Sequence, residues 1–329
     1  MSEHSEEEQE NCLQDLADHF KTQEDINLYL RTLKPKDPLF SVFCWLISYE
    51  ILTLNSATGI MAKVTSVSKK YTNDITQLPN FNFSNNFSRA QEEKFEQELN
   101  YIQDNWQTQS SLNDVSAETF VKSAQTVIPF VCKYRGVEYR DGLLATYLRI
   151  YVNLLQIFRI SVLTVHVEAL SYFLLLEMDK MIKNLFKNAS DDHSYVAKVT
   201  KLGQDLKIPL FDSPEKITKF TYSLLFDSFS KFSDEKFFEL WDRIVLRKDI
   251  LEVYLYKLVK MIVHDNSDEN YLKDWASQCG CLKTLQFTDE LEVNLYKQMQ
   301  RDSHYTQNLV FASMTIAGLF ILYRKFMMH

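Results

Sequence analysis

The stretch Ile160 to Leu176, "ISVLTVHVEALSYFLLL", decides how the chain is read: about 17 consecutive residues in which only His166 and Glu168 can carry charge. That length is the lower end of what spans a bilayer as a helix. An ionised side chain at the bilayer centre costs roughly 2.5 kcal/mol or more, and both polar groups fall near the middle. The stretch therefore predicts the central buried helix of a bundle, with His166 and Glu168 satisfied by neighbouring helices.

The sequence around it is helical in pattern. Leu13, Leu16, Phe20, Ile26, Leu30 and Leu33 keep helical spacing until "KPKDP" at 34 to 38 breaks it. "LFSVFCWLISYEILTL" at 39 to 54 is apolar on nearly every side, and Ile60, Val64, Val67 and Tyr71 continue a stripe, which predicts a helix running across Gly59. Phe95, Leu99, Ile102 and Trp106 form the apolar face of another. Ser116 opens a helix reaching about Pro129, and "YRGVEYRDG" at 134 to 142 is a break. Farther on, Ser213 followed by Pro214 has the form of an N-cap and first helical residue, Ser233 restarts a helix, and 249 to 264 is amphipathic. Only six Gly and six Pro in 329 residues leave few places for long helices to be broken. No internal repeat marks a solenoid.

The expected fold class is all-α: a multi-helix cytosolic bundle or irregular helical array with a single C-terminal transmembrane helix. Its expected organisation is a disordered acidic tail (1 to 10), an N-terminal helical unit (11 to 76), an Asn-rich loop (77 to 90), a main helical domain (91 to 304), a transmembrane tail anchor (305 to 325) and a short tail (326 to 329).

The anchor is read from "NLVFASMTIAGLFILYRK" at 308 to 325. Asn308 to Tyr323 covers about 24 Å as a helix, between a core helix and a full span. Leu309, Val310, Phe311, Ile316, Leu319, Phe320, Ile321, Leu322 and Tyr323 make it apolar, and Ser313, Thr315 and Gly318 do not line up as a polar face. Tyr305 and Tyr323 suit the two interfaces, and Arg324 and Lys325 can reach headgroups. A short, moderately apolar anchor with a basic end resembles those of the mitochondrial outer membrane and some peroxisomal ones, with endoplasmic reticulum or nuclear envelope as alternatives.

Composition narrows the function. A net charge of −8 with no basic stripe speaks against nucleic acid. The acidic start "MSEHSEEEQENC" lacks the features of a secretory or mitochondrial leader, so the helices are expected in the cytosol and the three Asn-x-Ser sites are expected to be chance. Five scattered Cys fit reduced thiols, and Cys279 and Cys281 in "CGC" lack the further ligands a zinc site needs. No phosphate loop, HExxH or GxSxG motif occurs. The approach to the anchor is interrupted where a SNARE would need heptads, and the central Gly-Arg signature of a Bcl-2-like bundle is missing.

No catalytic residue, cofactor or metal ligand is expected. The leading expectation is a non-enzymatic adaptor, receptor or tether on an organelle surface, with a protein partner of unknown identity and Phe81, Phe83 and Phe87 of the Asn-rich loop as contact candidates. Two alternatives stand beside it. One is a membrane-associated enzyme with a site around Arg159, His166 and Glu168; the other is a soluble helical protein whose last helix is buried.

Overall fold

The structure, a computed structural model, describes residues 13–31, 37–76, 88–106, 116–135, 139–140, 142–158, 164–187, 194–228, 234–248, 251–265 and 267–268. The chain divides by its packing into Met1–Cys281 and Leu282–His329, and every described residue belongs to the first unit. All regular elements among the described residues are helices. In chain order they are α1 (13–19), α2 (Gln23–Arg31), α3 (Pro38–Ser48), α4 (Ala57–Thr76), α5 (Arg89–Asp104), α6 (Ala117–Arg135), α7 (Leu143–Phe158) and α8 (Thr164–Asn184). There follow α9 (Tyr195–Leu206), a 3-10 turn (Pro209–Phe211), α10 (Pro214–Tyr222), a π-helical segment (Ser223–Ser228), α11 (Asp234–Leu246) and α12 (Leu251–Asp265).

The deciding stretch is the hub. Helix α8 takes in most of it and packs against α3, α4, α6 and α7. Val167, Leu170, Leu174, Leu175 and Met178 are almost wholly enclosed. A helix apolar nearly all round must be covered on every side, and here neighbouring helices cover it. No helix among the described residues is long and apolar enough to cross a membrane.

A second layer forms where α3 meets α2, α7 and α11, and α9 is covered by α10 and α12. Helices from before residue 77 thus pack directly on helices from after residue 90. The stripes expected for the N-terminal segments lie in the core: Leu16, Phe20, Ile26 and Leu30, then Phe95, Leu99, Ile102 and Trp106.

Two boundaries differ from the sequence expectation. The helix expected across Gly59 is instead two, α3 and α4, separated at 49–56. Glu50 takes a left-handed φ of 61°, and the amides of Ile51 and Leu52 both turn back to the Leu46 carbonyl. This tucks Ile51 and Leu52 into the core, where a continuing helix would carry them past it. Lys248 Nζ, from just beyond α11, donates to the Ser48 carbonyl and closes the end of α3. Conversely, α6 does not stop near Pro129 but runs on to Arg135. Proline removes one amide donor, to the Gln125 carbonyl. Burial of Ile128, Phe130, Val131 and Cys132 on both sides of the proline favours continuing the helix.

Capping follows local chemistry. Ser213 accepts from the Lys216 amide with Pro214 in the first turn, as the sequence predicts. Ser88 and Gln91 form a reciprocal capping box at the start of α5. Replacing Ser88 by Ala removes the acceptor and is expected to lower stability by about 1 kcal/mol, read from the denaturant midpoint at unchanged slope.

Candidate functional site

Polar side chains gather at three places within the described helices. The first surrounds α8. Glu168 is mostly buried, and the Tyr71 phenol of α4 donates to its Oε2 at 3.4 Å. Ser123 of α6 and Tyr147 of α7 share a hydrogen bond of 2.7 Å beside it. The rings that frame this cage touch one another: Tyr71 and Tyr172 at 5.3 Å, Phe130 and Tyr172 at 4.9 Å, and Tyr147 and Tyr151 at 5.6 Å between centroids.

Burial pushes the Glu168 carboxyl above its ordinary value of 4.5, and hydrogen bonds from Ser123 and Tyr71 pull it partly back. Burial also raises Tyr71 and Tyr147, and lifts Tyr151 to about 12. The phenols therefore remain protonated donors at neutral pH. Such a cage can hold a carboxyl group in place by neutral hydrogen bonds.

His166 looks elsewhere. Two positions before Glu168, it is turned roughly 200° around the helix, since each residue advances about 100°. It lines an open groove of about 360 Å³ between the first turn of α8 and the far half of α4, with Thr65, Ser68, Lys69, Thr72, Asn73 and Val165. The hydroxyls of Thr65, Ser68 and Thr72 donate back to carbonyls of their own helix, at Met61, Val64 and Ser68. These three hydroxyls are thus bonded within their own helix.

The second place centres on Asp242 of α11, fully enclosed between α11 and α3. Trp45 Nε1 donates to Oδ1 at 2.7 Å and the Ser41 hydroxyl donates to Oδ2 at 3.0 Å. The two bonds tie together helices far apart in sequence. The third is Asp179 near the end of α8, which accepts from Tyr222 at 3.0 Å and pairs with Lys183 at 2.9 Å. Arg140 lies 4.3 Å from the centre of the Tyr222 ring. The enclosed space lined by Arg140, Asp179 and Tyr222 is about 10 Å³, the room of a single water.

Asp179 and Asp242 are both buried. Asp242 was legible in one respect: it shares a helical face with Phe238 and Val245, three to four positions either side, so an acid stands inside an apolar stripe. Its partners Ser41 and Trp45 carry no such signal, being about 200 positions away.

Among the named candidates, His166 and Glu168 are described and point to different surroundings. Arg159, Phe81, Phe83, Phe87, Cys279, Cys281, the anchor residues Leu309 to Tyr323, Arg324 and Lys325 all lie outside the described residues. Among the described residues no grouping of three or more His, Cys, Asp or Glu could hold a metal ion.

The described residues form an irregular all-helical array, pinned by buried carboxyl groups that accept from Trp, Tyr and Ser. Compared with known protein families, curated proteins and solved structures, the chain matches none.

Proposed function

We propose that the chain is a membrane-anchored helical adaptor, receptor or tether, held through residues 305–325 to an organelle surface with its helical array in the cytosol. The observation that carries this reading is the segment 308 to 325, which has no polar face, is bracketed by Tyr305 and Tyr323 and closes on Arg324 and Lys325. The mitochondrial outer membrane or the peroxisome is the preferred surface, because a short and moderately apolar segment with a basic end resembles the anchors found there. Two buried cysteines, Cys44 and Cys132, are free thiols, which accords with a reducing compartment. Burial lifts the Cys132 thiol to about 12, so it is not a reactive nucleophile.

Anchoring would concentrate the array in two dimensions for a protein partner, with Phe81, Phe83 and Phe87 as contact candidates. Fluorescent fusions of the full chain and of a version ending at Gln307 test the reading. The full chain is expected on a membrane and the shortened one diffuse; two diffuse proteins would overturn it. Replacing Arg324 and Lys325 by Ser is expected to move the full chain from mitochondria to the endoplasmic reticulum, and unchanged targeting would remove the organelle assignment.

A further inference from the structure

Helix α4 carries two stripes side by side. Ile60, Val64 and Tyr71 are enclosed in the core. One position on, about 100° round the helix, Thr65, Ser68, Lys69, Thr72 and Asn73 form the α4 side of the open groove. Val165 and His166 of α8 form its other side, with His166 only 8% exposed. At about 360 Å³ the groove has more room than a single ion fills and falls at the small end of ligand sites.

The charge along this seam is one-sided. Helix α4 has three lysines, Lys63, Lys69 and Lys70, against one aspartate, Asp74, in a chain whose net charge is −8. Other lysines of the array stand one helical turn from a carboxylate: Lys122 pairs with Glu118, Lys216 with Asp212 and Lys219 with Glu215. The equivalent positions around Lys69 are Thr65, Ser66, Thr72 and Asn73, so its own helix offers it no acid. Asp74 is farther on and about 140° round from it. Glu168 is mostly buried and accepts from Tyr71. Lys70 lies over the Phe173 ring at 4.9 Å. Among the described residues Lys69 has no ion pair and the Asn73 side chain no hydrogen bond.

Hydrogen-bonding capacity is divided too. The hydroxyl protons of Thr65 and Thr72 go to carbonyls of α4, which leaves their oxygens as acceptors. Lys69 supplies donors and positive charge, and the Asn73 amide supplies further donors. Thr65 and Asn73 lie one turn on either side of Lys69, about 6 Å each way along the helix.

We propose that this groove binds a phosphorylated polyol, with the phosphate at Lys69 and Asn73 and the polyol hydroxyls donating to Thr65 and Thr72. A phosphate monoester brings more negative charge and more acceptor oxygens to the unpaired ammonium than a carboxylate does. A bare anion would engage only the donor side of the groove and leave the acceptor side unused. The phosphate comes on a soluble ester or on a lipid headgroup, and the recognition chemistry is the same for both. The site rests on the described helices alone and is independent of the membrane reading.

The test uses the full chain with two sources of the same group: inositol monophosphate added to the protein in detergent micelles, and phosphatidylinositol monophosphate in phosphatidylcholine nanodiscs. Native-state hydrogen exchange is read over 57–76 and the first turns of α8. Ligand is expected to slow exchange there and to leave α11 and α12 unchanged. Protection by the soluble ester in micelles assigns a soluble ligand, and protection in nanodiscs alone assigns the lipid headgroup. Lys69→Glu is expected to weaken binding by about tenfold or more, and Asn73→Ala by a smaller factor. Both residues are exposed, so the variants are expected to keep the wild-type circular dichroism. Lys201→Glu makes the same charge change at an exposed position of α9 outside the groove, and is expected to cost less than about twofold because salt screens distant charges. Equal losses in Lys69→Glu and Lys201→Glu would overturn the site. So would equal protection by sulfate or by phosphatidylserine at matched charge, or unchanged exchange with both sources. A chain that fails to join the nanodiscs would count against the membrane reading, and the micelle arm would still decide the groove.

Discussion

Asp242→Ala is expected to be among the most damaging single changes in the helical array, destabilising it by about 3 kcal/mol or more. The carboxylate is enclosed and accepts from Trp45 Nε1 and the Ser41 hydroxyl. Removing it strands both donors where water does not reach, and an unsatisfied buried donor costs about 1 to 3 kcal/mol. The cavity adds to the loss. Equilibrium urea unfolding, read by tryptophan fluorescence and by circular dichroism, checks the magnitude. Trp45 stands against Phe238 at 5.4 Å and Trp241 at 6.3 Å, so its emission reports on this junction directly. A second comparison separates the bond from the packing. Ser41→Ala removes one donor and leaves the other in place, so its cost should be clearly smaller than that of Asp242→Ala. Equal stability of Asp242→Ala and wild type would show that the α3 to α11 junction does not depend on this carboxylate.

Tyr172→Ala is the second large effect, expected at about 3 to 5 kcal/mol by analogy with other buried aromatic truncations. The ring is wholly enclosed on α8 and meets Tyr71 of α4 at 5.3 Å and Phe130 of α6 at 4.9 Å. Loss of the ring therefore opens a cavity at the point where three helices converge. Tyr172→Leu, which refills part of that volume, should recover part of the stability. Because α4 relies chiefly on α8, hydrogen exchange in Tyr172→Ala should rise first in residues 57–76. Uniform loss of protection across all helices would instead mean that the array unfolds as one cooperative unit.

The helical class was readable because it rests on local chemistry. Phe95, Leu99, Ile102 and Trp106 recur at helical spacing, and all of them are buried. Ser213 and Pro214 announce a helix start that the backbone geometry repeats. The central stretch was read as a bundle helix because His166 and Glu168 are too polar for a lipid interior, and α8 is covered by other helices.

Long-range partners were not readable in the same way. Nothing near Glu168 in the sequence points to Tyr71 or Ser123, and nothing near Asp242 points to Trp45. The break between α3 and α4 is hidden in the sequence for a related reason. An uninterrupted apolar run satisfies a helical stripe equally well whether it continues or turns back, and only the packing of Ile51 and Leu52 favours the turn. Pro129 shows the reverse: local propensity says stop, and burial on both sides of the proline keeps α6 going.

The sequence by itself determined that the array is helical and which face of most helices is apolar, since periodicity, caps and breakers act over three or four residues. Tertiary structure alone decided which polar groups meet inside it. Three carboxyl groups, Asp179, Asp242 and Glu168, become fixed points because packing brings distant hydroxyl and indole donors to them. Hydrogen bonding is set by separation in space, and the fold closes distances of up to about 200 residues that no spacing rule in the chain encodes.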